Sequence, residues 1–377
     1  AQRQQRQQPV VWLRLLQRAH GRERGRAGIE RSPVVPRVWI PQFAKDTVMV
    51  DGETFPRERM LYWLADRMVP RWAAMGVQEI VTHSLWRSDY SVDRLVTKEQ
   101  TGMQGNLTVS GICCCREHVI DDMWGGTAAL AYFVKTAHAH GLKVLLWWAT
   151  HLSRRAPIFA EHPDWMLTAR DGLPNGGGFG HQVLITMDLA NPACYAWELG
   201  LLRTLHEQTG IDGFFHDSYG NMTFLPVNYA SPNRTGQSAA YAALVRDLQH
   251  AGMPVFTVEG VGPWGCGHFG MHRVEKGKRF QHDLEWWIGH EDMAYGLNMG
   301  ISAGLWDDED AALRFAFRCM AGGGRYGFAQ REGVFEVWTG ALLRLNHIHA
   351  RLGSIDGERT LLPDGRGVLW RRADGST

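Results

Sequence analysis

Short apolar runs alternate along this chain with longer stretches whose apolar residues fall three and four positions apart. The runs are Val38–Phe43, Val77–Thr82, Lys143–Ala149, Ile211–Asp217, Pro254–Glu259, Leu284–His290 and Arg325–Ala329. Such runs read as buried strands, and the stretches between them as amphipathic helices. Helices are predicted over Thr54–Met75, Thr127–His140, Ala193–Thr209, Gln237–Ala251, Asp307–Ala321 and Val334–Leu352. Thr54 would cap the first, with Pro56 in its opening turn; Gly76, Gly141, Gly210 and Gly252 would stop the first four. The interval Ser84–Gly126 reads as a long loop. The run Lys-Val-Leu-Leu-Trp-Trp-Ala has no polar face, as expected of a parallel strand covered on both sides by helices. About eight strand–helix units in succession predict a closed (β/α)8 TIM barrel rather than an open sheet.

Composition narrows the function classes. The chain has 377 residues, 45% hydrophobic and 21% charged, as expected of a soluble globular protein. No stretch approaches the ~18 apolar residues of a membrane span. Six cysteines are too few for a disulfide framework. A net charge of +1 argues against a nucleic-acid partner. That value hides an asymmetry: residues 1–37 hold nine Arg and two acids, and the rest holds 31 basic and 37 acidic residues. Residues 1–37 read as a basic disordered tail or linker, 38–353 as the barrel, and 354–377 as the start of a C-terminal β domain, the last from Pro363-Asp-Gly365 followed by an apolar run. No signal-peptide pattern is visible, and the location is open between cytoplasmic and secreted. Sixteen Trp against nine Tyr lean toward sugar binding, because indole faces stack on sugar rings, although they also fill cores.

In a barrel of this kind, chemistry gathers at the C-terminal ends of the strands. Polar residues there are His83 and Asp89, His151 after Trp147-Trp148, His216-Asp217, Glu259, and Glu291-Asp292, with Asp283 as a competitor of the last pair. Asp217 carries the strongest signal, because its strand is apolar until its last residues; the competing reading is a cap on the following turn. Two carboxylates across a sugar are what glycoside hydrolysis needs. Trp86, Trp147 and Trp148 lie near strand ends, and strand alternation sends Trp147 and Trp148 to opposite faces. The run Cys113-Cys-Cys115 with His118 lacks the spacing that puts two thiolates on one zinc. A metal-dependent hydrolase would use His83, His151, His216 and His290 with Asp217, and is the weaker alternative. Neither a phosphate-binding G-x-x-x-x-G-K-[ST] loop nor a G-x-S-x-G elbow is present. No cofactor is expected.

Several segments resemble the α-galactosidase-like, or melibiase, glycoside hydrolases. They are His138–Trp148, Glu161-His-Pro-Asp-Trp165, Met187-Asp-Leu-Ala-Asn-Pro192 and Gly210-Ile-Asp-Gly-Phe-Phe-His-Asp217. The similarity runs from about Phe55 to Leu352, and the His-Pro-Asp-Trp match is its most specific part. The resemblance implies a barrel in which Asp217 is the nucleophile. It puts the acid on Asp292, whereas α-amylase-like barrels would put it on Glu259. The family's Lys-Trp before the nucleophile falls on Phe215-His216, and its Cys-x-x-Gly-Gly-x-Arg loop on Gly260–Gly267, which contains Trp264 but no Arg. The expectation is a retaining glycosidase acting on α-linked sugars, with catalytic Asp217, Asp292 and Glu259. Its substrate-binding residues would be Trp86, Asp89, Trp147, Trp148, His151, His216, Tyr219 and Trp264. The alternative is a degenerate, non-catalytic carbohydrate-binding barrel. The expected partner is an oligosaccharide or glycoside, with no nucleic acid or membrane; homo-oligomerisation is open.

Overall fold

The computed structural model describes residues 37–40, 47–50, 53–82, 85–89, 94–96, 107–109, 114–176, 183–216, 227–232, 234, 236–258, 261–262, 265–266, 298–302, 325–329, 358–362 and 368–371. Among the described residues, seven strands form one sheet: β1 (Arg37–Ile40), β2 (Glu79–Thr82), β3 (Lys143–Trp148), β4 (Gly213–His216), β5 (Val255–Val258), β6 (Asn298–Ser302) and β7 (Arg325–Ala329). Every pairing is parallel, and the lateral order is β5-β4-β3-β2-β1-β7-β6. The last strand thus lies beside the first. The chain is an α/β protein, as the alternation of runs and helical stretches predicts. The strand expected over Leu284–His290 and the helices over Asp307–Ala321 and Val334–Leu352 lie outside the described residues.

Apolar stripes hold the helices to the sheet. In α2 (Gly126–Ala139), Leu130, Phe133, Val134 and Ala137 recur at helical spacing and are buried. α3 (Pro192–Thr209) is started by Asn191, whose Oδ1 accepts from Ala193 N at 2.9 Å, and is stopped by Gly210. α4 (Gln237–His250) buries Tyr241, Leu244, Val245 and Leu248. Strand β4 approaches β5 so closely at Gly213 that a Cβ there would stand 1.6 Å from the Val255 carbonyl oxygen.

Two local readings are corrected. Thr54 does not cap a helix; Glu53–Pro56 pairs antiparallel with Thr47–Val50, and the helical segment α1 occupies 57–74. Within α1, Leu64–Met68 is a π-turn just ahead of Pro70. Proline has no N–H to give the previous turn, and a widened turn accommodates its ring. The interval read as a loop after β2 contains strands: Trp86–Ser88 pairs with Cys115–Ile120, and Arg94–Val96 with Leu107–Val109. Near the C-terminus, Glu358–Leu361 and Val368–Arg371 form an antiparallel pair. No helix among the described residues is long and apolar enough to cross a membrane.

Candidate active site at the C-terminal ends of the strands

The register aligns the ends of three neighbouring strands: Trp148 pairs with His216, and His216 with Val258. Segments that follow β2 and β3 fold over this end. Trp86 Nε1 donates to the Trp147 carbonyl at 2.7 Å, which pins the segment after β2 to the end of β3. Asp89 joins the same two segments, for its carboxylate accepts from Ser153 Oγ at 3.2 Å and lies 3.6 Å from Arg155 Nη1. Ser153 ends the strand His151–Ser153, which pairs with Leu184–Thr186.

The alternation of side chains separates the two tryptophans as expected. Trp148 faces the helices: its indole N–H donates to Glu198 Oε1 on α3 at 2.7 Å, and its ring stacks on Tyr241 of α4 with an interplanar angle of 12°. Trp147 lies on the opposite face, edge-on to His151 with ring centres 6.5 Å apart. Trp86, Trp147 and Trp148 are all buried. His216 shares the helix side with Trp148, at 4.6 Å between rings, and its Nδ1 is hydrogen-bonded to the Tyr241 hydroxyl. Burial, reinforced by the nearby His151 and His118, pushes the His216 pKa well below the ordinary histidine value, so the ring is neutral at pH 7.

Behind this end lies a polar cluster that the apolar pattern conceals. His118 Nδ1 is 2.8 Å from Glu198 Oε1, and both side chains are fully buried. The His118 ring also meets Trp86 edge-on at 5.1 Å. The carboxylate of Glu198 therefore anchors two residues of the candidate set from the helix layer, through Trp148 directly and Trp86 by way of His118.

A second node fixes the segments after β3 and β4 to each other. The Asp188 carboxylate accepts from Asn228 Nδ2 at 2.6 Å, Gln237 Nε2 at 2.5 Å and Ala190 N at 3.2 Å. A cavity of about 400 Å³ beside it is lined by Asp164, Asn191, Asn228 and Ser231 among others. The His-Pro-Asp-Trp motif packs next to this node: His162 stacks on Trp165 at 4.1 Å, and Trp165 meets Trp197 of α3. The motif thus supports the loop here.

Of the expected residues, Trp86, Asp89, Trp147, Trp148, His151 and His216 gather at the strand ends. Asp217, Tyr219, Glu259, Trp264 and Asp292 lie outside the described residues, as do His83, Asp283, His290 and Glu291. Sequence reasoning missed Glu198, Tyr241, Asp188, Asn228 and Gln237. Among the described residues, no group of three or more His, Cys, Asp or Glu side chains is placed to hold a metal. Cys114, Cys115 and Cys194 are buried.

No protein-family model matches this sequence, and no curated protein does. Solved structures match it over most of its length. The maltogenic α-amylase of Thermotoga neapolitana superposes with a TM-score of 0.64 at 14% identity, covering 90% of this chain and 83% of that one. An α-amylase of Lactobacillus plantarum gives 0.56 at 13%, covering 90% and 86%. The GH36 α-galactosidase of Geobacillus stearothermophilus gives 0.55 at 13%, covering 91% of this chain and 46% of that one, so this chain spans under half of that enzyme's length. At these identities the likeness concerns the fold: the chain folds like the α-amylases and α-galactosidases.

Proposed function

We propose that this chain is the catalytic barrel of a retaining glycoside hydrolase acting on α-linked sugars, with Asp217 as nucleophile. The carrying observation is the placement of β4. Its last residue, His216, is held by Tyr241 and Trp148, and Asp217 follows it directly. In sequence, Asp217 is two positions from Phe215, the spacing of one strand face, and it would share that face if the strand continued. Barrel closure belongs to the same proposal. The sheet's outer strands among the described residues are β5 and β6, and the apolar run Leu284–His290 falls between them in sequence.

The register favours Glu259 over Asp292 as the acid. Asp217 and Glu259 directly follow the last described residues of two neighbouring paired strands, His216 of β4 and Val258 of β5. A retaining enzyme would need the two carboxylates ~5–5.5 Å apart, against ~6.5–9.5 Å for an inverting one. Asp89, Trp147 and His151 would line the sugar pocket, with Trp86, Trp148 and His216 supporting it from behind; Tyr219 and Trp264 would close it. The α-galactosidase resemblance makes galactosides the first substrates to try.

The test is hydrolysis of 4-nitrophenyl α-galactoside, α-glucoside and their oligosaccharide counterparts. Asp217→Asn should lose at least about a thousandfold in kcat on whichever substrate the parent cleaves. In the same assay Glu259→Gln should spare kcat/KM on the nitrophenyl substrate, whose leaving group needs no proton, lower its kcat because hydrolysis of the glycosyl-enzyme still needs the base, and lose the oligosaccharide. Full activity in Asp217→Asn would end this reading.

A further inference from the structure

A pocket opens on the segments that follow β2 and β3. It has a volume of about 350 Å³ and is lined by Arg116, Arg154 and Arg155 over an apolar floor that includes Pro157, Phe159 and Met166. All three arginines are exposed. Arg116 comes from the strand Cys115–Ile120, and Arg154 and Arg155 from the turn after His151–Ser153. Among the described residues, no carboxylate lines the pocket. Asp89 lies 3.6 Å from Arg155, beneath it and nearly buried.

Three guanidinium groups around one small cavity bring positive charge to it, with Asp89 beside Arg155. The charge also runs against the background, because the chain beyond residue 37 carries 31 basic and 37 acidic residues. Guanidinium forks match carboxylate and sulfate oxygens two at a time, and an apolar floor suits the ring face of a sugar. Both segments begin at the C-terminal ends of strands, the rim on which the proposed chemistry lies.

We infer that this pocket binds an anionic saccharide unit, a carboxylated or sulfated sugar, as an extension of the substrate site. The saccharide part rests on the glycosidase reading; the anionic part rests on the three arginines.

The test is calorimetric titration of the whole chain with trigalacturonate, with maltotriose as a neutral sugar of equal length, and with sulfate alone. Trigalacturonate should bind at least about tenfold tighter than maltotriose and weaken as salt rises. The pair Arg116→Gln/Arg154→Gln should lose at least about tenfold in trigalacturonate affinity, while Arg116→Lys/Arg154→Lys should fall between it and the parent. The Lys pair guards against a loss that merely reports misfolding. Equal binding of the two trisaccharides, an unaffected Gln pair, or sulfate binding as tightly as trigalacturonate would each overturn the inference. None of these readings passes through hydrolysis, so a fully active Asp217→Asn would sink the glycosidase proposal and leave this one standing or falling on its own titration.

Discussion

A carboxylate with no exposed surface must find its partners inside the protein, and Glu198 finds Trp148 Nε1 and His118 Nδ1. Removing one member of a buried charged cluster strands the others. Glu198→Ala is expected to cost about 3–5 kcal/mol, seen as a lower urea midpoint at an unchanged m-value. A loss under about 1 kcal/mol would show that the Trp148 N–H tolerates loss of its Glu198 acceptor. His216 sets a pH dependence. Its folded-state pKa is depressed, chiefly by burial, so the unfolded chain takes up the proton first as pH falls. Its stabilising contribution is complete above the unfolded value of about 6.5 and declines as pH drops from there toward the folded value. His216→Asn retains a polar group at the Nδ1 position and cannot titrate, so its melting temperature should fall less between pH 7 and pH 5 than the parent's. An equal fall would assign the acid sensitivity elsewhere. At this scale the sequence was partly legible. Glu198 stands among Cys194, Leu202 and Leu205 on the buried stripe of α3, a visible anomaly in an apolar pattern. The Asp188 node was invisible, because its partners lie 40 and 49 positions away and meet only through loop packing.

Elements were the most legible level where pattern and period agree. The run Arg325–Ala329 is strand β7 to the residue, and α2, α3 and α4 each begin within one residue of the start that capping and spacing predict. Two kinds of strand escaped. Asn298–Ser302 carries Asn, Gly and Ser, which dilute its apolar signal, yet it pairs with β7 over five residues. Cys115–Ile120 mixes Arg, Glu and His with apolar residues because only part of it is buried, and its pairing to Trp86–Ser88 shifts register twice. No local periodicity encodes such a partner. Gly213 shows how one position can govern the fit between two elements. A methyl group there would overlap the Val255 carbonyl oxygen, which belongs to the backbone of β5 and cannot rotate away. Gly213→Ala should therefore destabilise by at least about 3 kcal/mol, the upper end for overpacking, measured by thermal or urea unfolding. Stability equal to the parent's would show that β4 and β5 can part at this point.

For the whole molecule, one parallel sheet with helices packed on it follows from the alternation of buried runs and amphipathic stretches, and the likeness to α-amylases and α-galactosidases extends that reading to about 90% of the chain. Sequence alone could not supply the lateral order, since each run looks equally able to pair with any other. The pairing of β1 with β7 has a consequence for how the protein is made. Arg37 meets Gly327, so β1 leaves the ribosome well ahead of a neighbour almost three hundred residues later. At ~5–20 residues per second that interval is roughly 15 to 60 s, during which one edge of β1 is open to other strands. Such distant pairing also makes the final zipping step intrinsically slow. Synthesis speed and chaperone supply, rather than the stability of the finished sheet, should then set how much of this protein is recovered folded from a cell.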